Sequence, residues 1–130
     1  MISRNTIYEA ALKTIDNLFP NQDFDLSVIV DDDSLLHELN LEYRGIDKPT
    51  DVLSFESHII DPETGVENLG DILISYETAQ KQAKEAEHAI EDEIRVLLIH
   101  GILHLSGYDH DNQQNKREMW DKQSELITIL

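Results

Sequence analysis

The chain contains no cysteine. That absence removes disulfides, thiolate metal sites and cysteine nucleophiles together. Proline and glycine are scarce, at three and five residues. No Pro/Gly/Ser-rich linker, internal repeat or low-complexity stretch divides the sequence, so its 130 residues read as one domain, 1–130. Long hydrophobic runs are missing too. The longest before His100 is Val96-Leu97-Leu98-Ile99, far short of the roughly 20 residues that span a bilayer. Met1-Ile2-Ser3-Arg4-Asn5 has no apolar segment behind it, so no signal peptide is read and a cytoplasmic location is expected. Basic residues are the last shortage. Ten Lys and Arg stand against 27 Asp and Glu, a net charge of −17. A general nucleic-acid coat or an anionic-membrane binder needs a broad positive surface. Neither a membrane nor a DNA partner is therefore expected, while local cationic sites stay open.

The remaining composition, 40% hydrophobic and 28% charged, is that of an ordinary globular protein. Ile7, Ala10, Ala11, Ile15 and Leu18 share one stripe of a helix over Thr6 to Leu18, which Pro20 and Asn21 stop. Phe24, Leu26, Val28 and Val30 alternate as a strand. Asp33 or Ser34 can cap a short helix carrying Leu35, Leu36, Leu39 and Tyr43, and Gly45 ends it. Val52 to Phe55 and Gly70 to Ser75 read as strands around an Asp61–Gly65 turn, a hairpin with a long connection. Thr78 to His88 is rich in good helix formers. Glu91 to Leu105 is the most apolar helix, with Ile94, Leu97, Leu98 and Leu105 at core spacing. A final helix opens at Asn112 or Gln113 and runs to about Ile127, anchored by Met119, Leu126 and Ile127. The order predicts an α+β fold, a small sheet packed with about five helices.

The chemistry concentrates in His100-Gly101-Ile102-Leu103-His104-Leu105-Ser106-Gly107-Tyr108-Asp109-His110. His100 and His104 are one helical turn apart, so both imidazoles share a face. Gly107 permits a tight turn that brings His110 back as a third ligand. Three histidines with an open water position describe a catalytic zinc rather than a closed structural one. The histidine and glycine spacing matches the metzincin peptidase signature, but Gly101 stands where that signature has its general-base glutamate. The metal reading survives this departure and the peptidase reading loses its base. Asp109 and Asp111 flank His110 and could orient a histidine or act as a base, or simply cap a turn. His37, His58 and His88 lack partner spacing and read as surface residues. Trp120 and Met119 read as core. Arg44 and Lys48 flank a Gly/Pro-containing turn; Arg44 could grip a phosphate in two-pronged fashion, but on composition alone it pairs with the abundant carboxylates.

The motif from His100 to His110 resembles the signature of the YbeY family of bacterial rRNA maturation factors. The agreement extends upstream, over Asn40, Tyr43-Arg44-Gly45, Asp47 and Pro49-Thr50-Asp51-Val52-Leu53-Ser54-Phe55, and over Gly70-Asp71-Ile72 with Ile74-Ser75. Glu118-Met119 and Glu125 of the last helix also fit. The resemblance runs from about Leu26 onward. It implies a single-domain α+β fold with a mixed sheet and one zinc on His100, His104 and His110. It also implies a single-strand-specific endoribonuclease acting in small-subunit (16S) rRNA 3′-end maturation and late ribosome quality control. Through it Arg44 becomes a functional residue near the metal. Glu56 departs from the proline that often follows Val-Leu-Ser-Phe in the family, which bears on the edge-strand geometry there.

The charge of −17 repels RNA at long range. Binding must therefore be local, screened by Mg2+, or delivered by a ribosomal-protein partner of the small subunit. Two other readings compete: a metal-stabilised ribosome assembly factor with little catalysis, and a metal-dependent hydrolase of another substrate.

Overall fold

The computed structural model describes residues 3–109 and 111–130. Among them are five helices and three strands in the order α1 (Arg4–Leu18), β1 (Phe24–Asp31), α2 (Asp33–Arg44), β2 (Val52–Ile60), β3 (Glu67–Ser75), α3 (Tyr76–Ala86), α4 (Ile90–Leu105) and α5 (Gln113–Ile129). The expected α+β class and helix number hold, and the sheet is mixed.

Its strand order is β1-β3-β2. β3 lies at the centre, parallel to β1 and antiparallel to β2. Successive side chains of a strand point to opposite faces, and β3 buries both. Ile72 and Ile74 enter the main core with Ile94, Leu97, Leu98 and Ile102 of α4. Leu73 enters a smaller cluster with Leu53 and with Leu36 of α2. α4 is thus the central helix, touching α1, α3, α5 and the sheet. Full burial of each such aliphatic side chain contributes about 1.5–3 kcal/mol.

Two glycines permit this packing. A Cβ on Gly101 would lie 2.9 Å from Ile72 Cγ2, so the helix approaches the sheet where a side chain is missing. Gly70 has φ +138°, and a Cβ there would lie 2.0 Å from the Phe55 carbonyl oxygen.

Several local expectations are corrected. The cap of α2 is Asp32, whose carboxylate accepts from the Leu35 N–H at 2.9 Å, rather than Asp33 or Ser34. Asp33 is spent between helices: its Oδ1 accepts from the hydroxyls of Ser75, the cap of α3, and Thr78. β2 and β3 run longer than their alternating cores, so the hairpin connection is short, and the Asp61 N–H donates to the Val66 carbonyl across it at 2.9 Å. β2 is an edge strand that continues through Glu56, with a register shift between Glu56 and Ile59. Trp120 is 65% and Ile127 42% exposed, while Met119 and Leu126 carry the docking of α5. Tyr43, read with Leu35, Leu36 and Leu39 as carried by α2, is on that helix but 63% exposed.

Candidate active site

The last two turns of α4 hold His100 and His104, both half-buried, on a helix whose other residues there are in the core. Their Nε2 atoms face each other at 3.1 Å. Two imidazole nitrogens at about 2.0–2.1 Å from one tetrahedral ion stand about 3.3 Å apart, so the pair is spaced for a common ion. The opposite nitrogen of His100, Nδ1, meets Gln123 Oε1 at 3.1 Å. A carbonyl oxygen only accepts, so Nδ1 carries the proton and Nε2 keeps its lone pair directed at His104. Gln123 belongs to α5, where Met119 and Leu126 pack on Ile99 and Leu103 of α4. Positions 119, 123 and 126 share a helical face, so the apolar docking delivers the amide to the histidine.

The third predicted ligand, His110, lies outside the described residues. Among those described, no group of three His, Asp or Glu side chains is assembled that could hold a metal. The residues that can be tested do fit zinc: two imidazoles with converging Nε2 atoms, one with its tautomer fixed by an outer partner.

The histidines open into a cleft of about 710 Å³ that Arg44, Asp51, Glu56, Tyr43, Phe55 and Asp109 also line. Arg44 ends α2, where Gly45 in the left-handed conformation closes the helix. Among the described residues Arg44 has no carboxylate partner. The surface ion pair that composition favours is therefore not what holds it, and among the described residues it is the one Lys or Arg lining the cleft. Lys48 does not line the cleft; its carbonyl accepts from Asn40 Nδ2 at 2.9 Å. Asp109 reaches the cleft, whereas Asp111 accepts from Asn115 Nδ2 at 2.8 Å at the start of α5.

The other three histidines among the described residues each meet a carboxylate away from the pair. His37 is 2.7 Å from Asp47, His58 is 3.0 Å from Glu67, and His88 is 2.7 Å from Glu93. Sequence reading missed Gln123; its signal was the Met119/Leu126 stripe on which it falls. Gly101 is buried against Ile72, so no carboxylate could act from that position.

Residues 2–130 match the family model described as Endoribonuclease YbeY. The Endoribonuclease YbeY of Heliobacterium modesticaldum is 43% identical over 111 residues, covering 78% of this chain and 66% of that protein. That of Shouchella clausii is 44% identical over 116 residues, covering 82% and 72%. The chloroplastic Endoribonuclease YBEY of Arabidopsis thaliana is 38% identical over 124 residues, which is 95% of this chain and 21% of the plant protein. The solution structure of TM1509 from Thermotoga maritima aligns with a TM-score of 0.62 at 29% identity, covering 98% of this chain and 83% of that one.

The fold is α+β, and the matches define a hydrolase of the nuclease class. More particularly, the chain belongs to the endoribonuclease YbeY family. Among the described residues, no helix is long and apolar enough to cross a membrane.

Proposed function

We propose that this chain is a single-strand-specific endoribonuclease of small-subunit (16S) rRNA 3′-end maturation and late ribosome quality control, working in the cytoplasm with one zinc held by His100, His104 and His110. The observation that carries the reading is the convergence of the His100 and His104 Nε2 atoms, 3.1 Å apart, in a cleft that also contains Arg44. When bound, zinc supplies Lewis acidity toward a phosphoryl oxygen and toward water. The chain's own groups supply the rest. Arg44 donates two parallel N–H groups to the non-bridging phosphate oxygens, and this contact strengthens as negative charge builds on them. Asp51, Glu56 and Asp109 line the same cleft as carboxylates able to take a proton. The partners are ribosomal RNA and the small subunit, with a ribosomal protein and Mg2+ offsetting the net charge of −17.

The peptidase-like alternative is disfavoured by the Gly101–Ile72 contact, which leaves no room for the base that chemistry needs. The test uses RNase-free protein purified without chelator. It should carry about one zinc per chain, the complement of a single three-histidine site, cut single-stranded RNA in preference to duplex, and lose both zinc and cleavage in His104→Ala. A zinc-loaded protein that cuts no RNA overturns the nuclease reading and leaves an assembly factor.

A further inference from the structure

Tyr8, Tyr43 and Trp120 are the large aromatic side chains that stand mostly exposed among the described residues, at 66%, 63% and 65%. Of the three, Tyr43 lines the cleft of the paired histidines. Its place is unexpected for the sequence, because Leu36, Leu39 and Tyr43 fall on one stripe of α2 and the first two pack inward. The Tyr43 ring instead stands over Phe55, centroids 5.3 Å apart and planes at 67°. Phe55 is itself half-buried on the Leu36, Leu53 and Leu73 cluster. The edge-to-face contact holds the Tyr43 ring while leaving most of its surface open. The next residue is Arg44, the cleft's one Lys or Arg among the described residues.

We infer that Tyr43, backed by Phe55, is a stacking platform for one unpaired base of an RNA strand whose neighbouring phosphate is gripped by Arg44. The inference rests on the nuclease reading and gives it a specificity element. Every base has a π-face, so a platform of this kind is tolerant of sequence. A base inside a duplex is already stacked and paired, and must be splayed out before it can reach a side-chain ring. The platform therefore selects single strands without reading sequence. It also suits the charge of this protein. Asp51, Glu56 and Asp109 line the cleft with Arg44, its one Lys or Arg among the described residues, so phosphate contacts alone give little. Stacking adds affinity that a net charge of −17 does not oppose.

The probe is a short fluorescein-labelled 2′-O-methyl RNA, which lacks the hydroxyl needed for self-cleavage, with binding followed by anisotropy. Base–aromatic stacking of about 1–3 kcal/mol per base converts, at about 1.4 kcal/mol per tenfold, to a roughly 5- to 140-fold weaker Kd in Tyr43→Ala. Tyr43→Leu should weaken binding similarly, since it keeps bulk and loses the π-face, and Tyr43→Trp should restore it. An abasic site walked along the RNA should weaken wild-type binding at one position, and at that position Tyr43→Ala should cost nothing more. With one phosphate gripped, log Kd should depend on log salt with a slope of about 0.7 in magnitude. On a cleavable strand, Tyr43→Ala should raise KM far more than it lowers kcat. Zinc content should match wild type in all three variants, and each should remain folded at the assay temperature, with Tm lowered only by loss of the Phe55 ring contact. Equal binding by Tyr43→Ala and wild type, or an equal loss on duplex RNA, overturns the platform and leaves the nuclease reading standing. Wild-type protein that binds no single-stranded RNA overturns both.

Discussion

Gln123 accepts a hydrogen bond from His100 Nδ1 across the α4–α5 contact at 3.1 Å, and this contact fixes which nitrogen of the ring is free to bind a metal. An imidazole without such a partner samples both tautomers and rotates about χ2. Replacing Gln123 by Leu keeps the bulk of the side chain and removes the acceptor. Zinc affinity should fall about 10- to 100-fold, measured by competition with a chromogenic chelator. Gln123→Glu, which still accepts, should stay close to wild type. Equal zinc affinity in Gln123→Leu and wild type would show that packing alone orients His100.

The α4–sheet contact makes a different prediction. Gly101 faces Ile72 so closely that a Cβ would lie 2.9 Å from its Cγ2. Gly101→Glu recreates the peptidase-like sequence, but its carboxylate would enter a buried position beside Ile72. An uncompensated buried charge costs about 3–5 kcal/mol. The variant should therefore unfold at much lower denaturant and show no peptidase activity. A variant with wild-type stability would mean that the helix can move off the sheet.

Asp33 supplies a pH signature of the fold. Hydrogen bonds from Ser75 and then Thr78 hold its carboxyl below the ordinary value of 3.8, with Lys81 adding a smaller attraction; burial opposes them. A folded-state pKa below the unfolded one gives stability that is fully present above 3.8 and lost as pH falls through the lowered folded value. Asp33→Asn should thus be less stable than wild type near neutrality, and the gap should close only in acid below 3.8. Denaturant midpoints across a pH series measure this. A gap that is constant into strong acid would assign the Asp33 contribution to shape rather than charge.

The legible parts of the sequence were those with strong periods. Ile94, Leu97, Leu98 and Leu105 announced the central helix and all are buried. His100 and His104 announced a paired centre because two polar rings one turn apart on an apolar helix have few other reasons to be there. The extension of β2 through Ser57-His58-Ile59-Ile60 was hidden, since a register shift breaks the alternation that marks a strand. Trp120 was misplaced because an amphipathic stripe predicts which helical face docks only to within one residue, and Met119 takes the inner position. Gln123 carries no signature of its own; only the tertiary contact of α5 with α4 makes it a partner of His100. The family resemblance read from Tyr43 through Phe55 and from His100 to His110 agrees with the match over residues 2–130.

Arg44 separates structural from functional roles most sharply. Had it served to pair with surface carboxylates, its loss would change stability by only about 0–1 kcal/mol and nothing else. It has no such partner among the described residues and stands in the histidine cleft as its one Lys or Arg. Arg44→Glu should leave zinc content and Tm near wild type while cutting RNA cleavage severely, because a phosphate would then meet a fourth carboxylate beside Asp51, Glu56 and Asp109 in the cleft. Arg44→Lys should recover part of the rate, since a point charge attracts phosphate but lacks the planar two-pronged donor. Added Mg2+ should help the Lys variant more than the Glu variant if the cation's task is to hold phosphate among Asp51, Glu56 and Asp109, because screening those carboxylates assists a cation that is still present. Cleavage by Arg44→Glu at the wild-type rate would remove the arginine from the reaction and leave the histidines to bind the phosphate unaided.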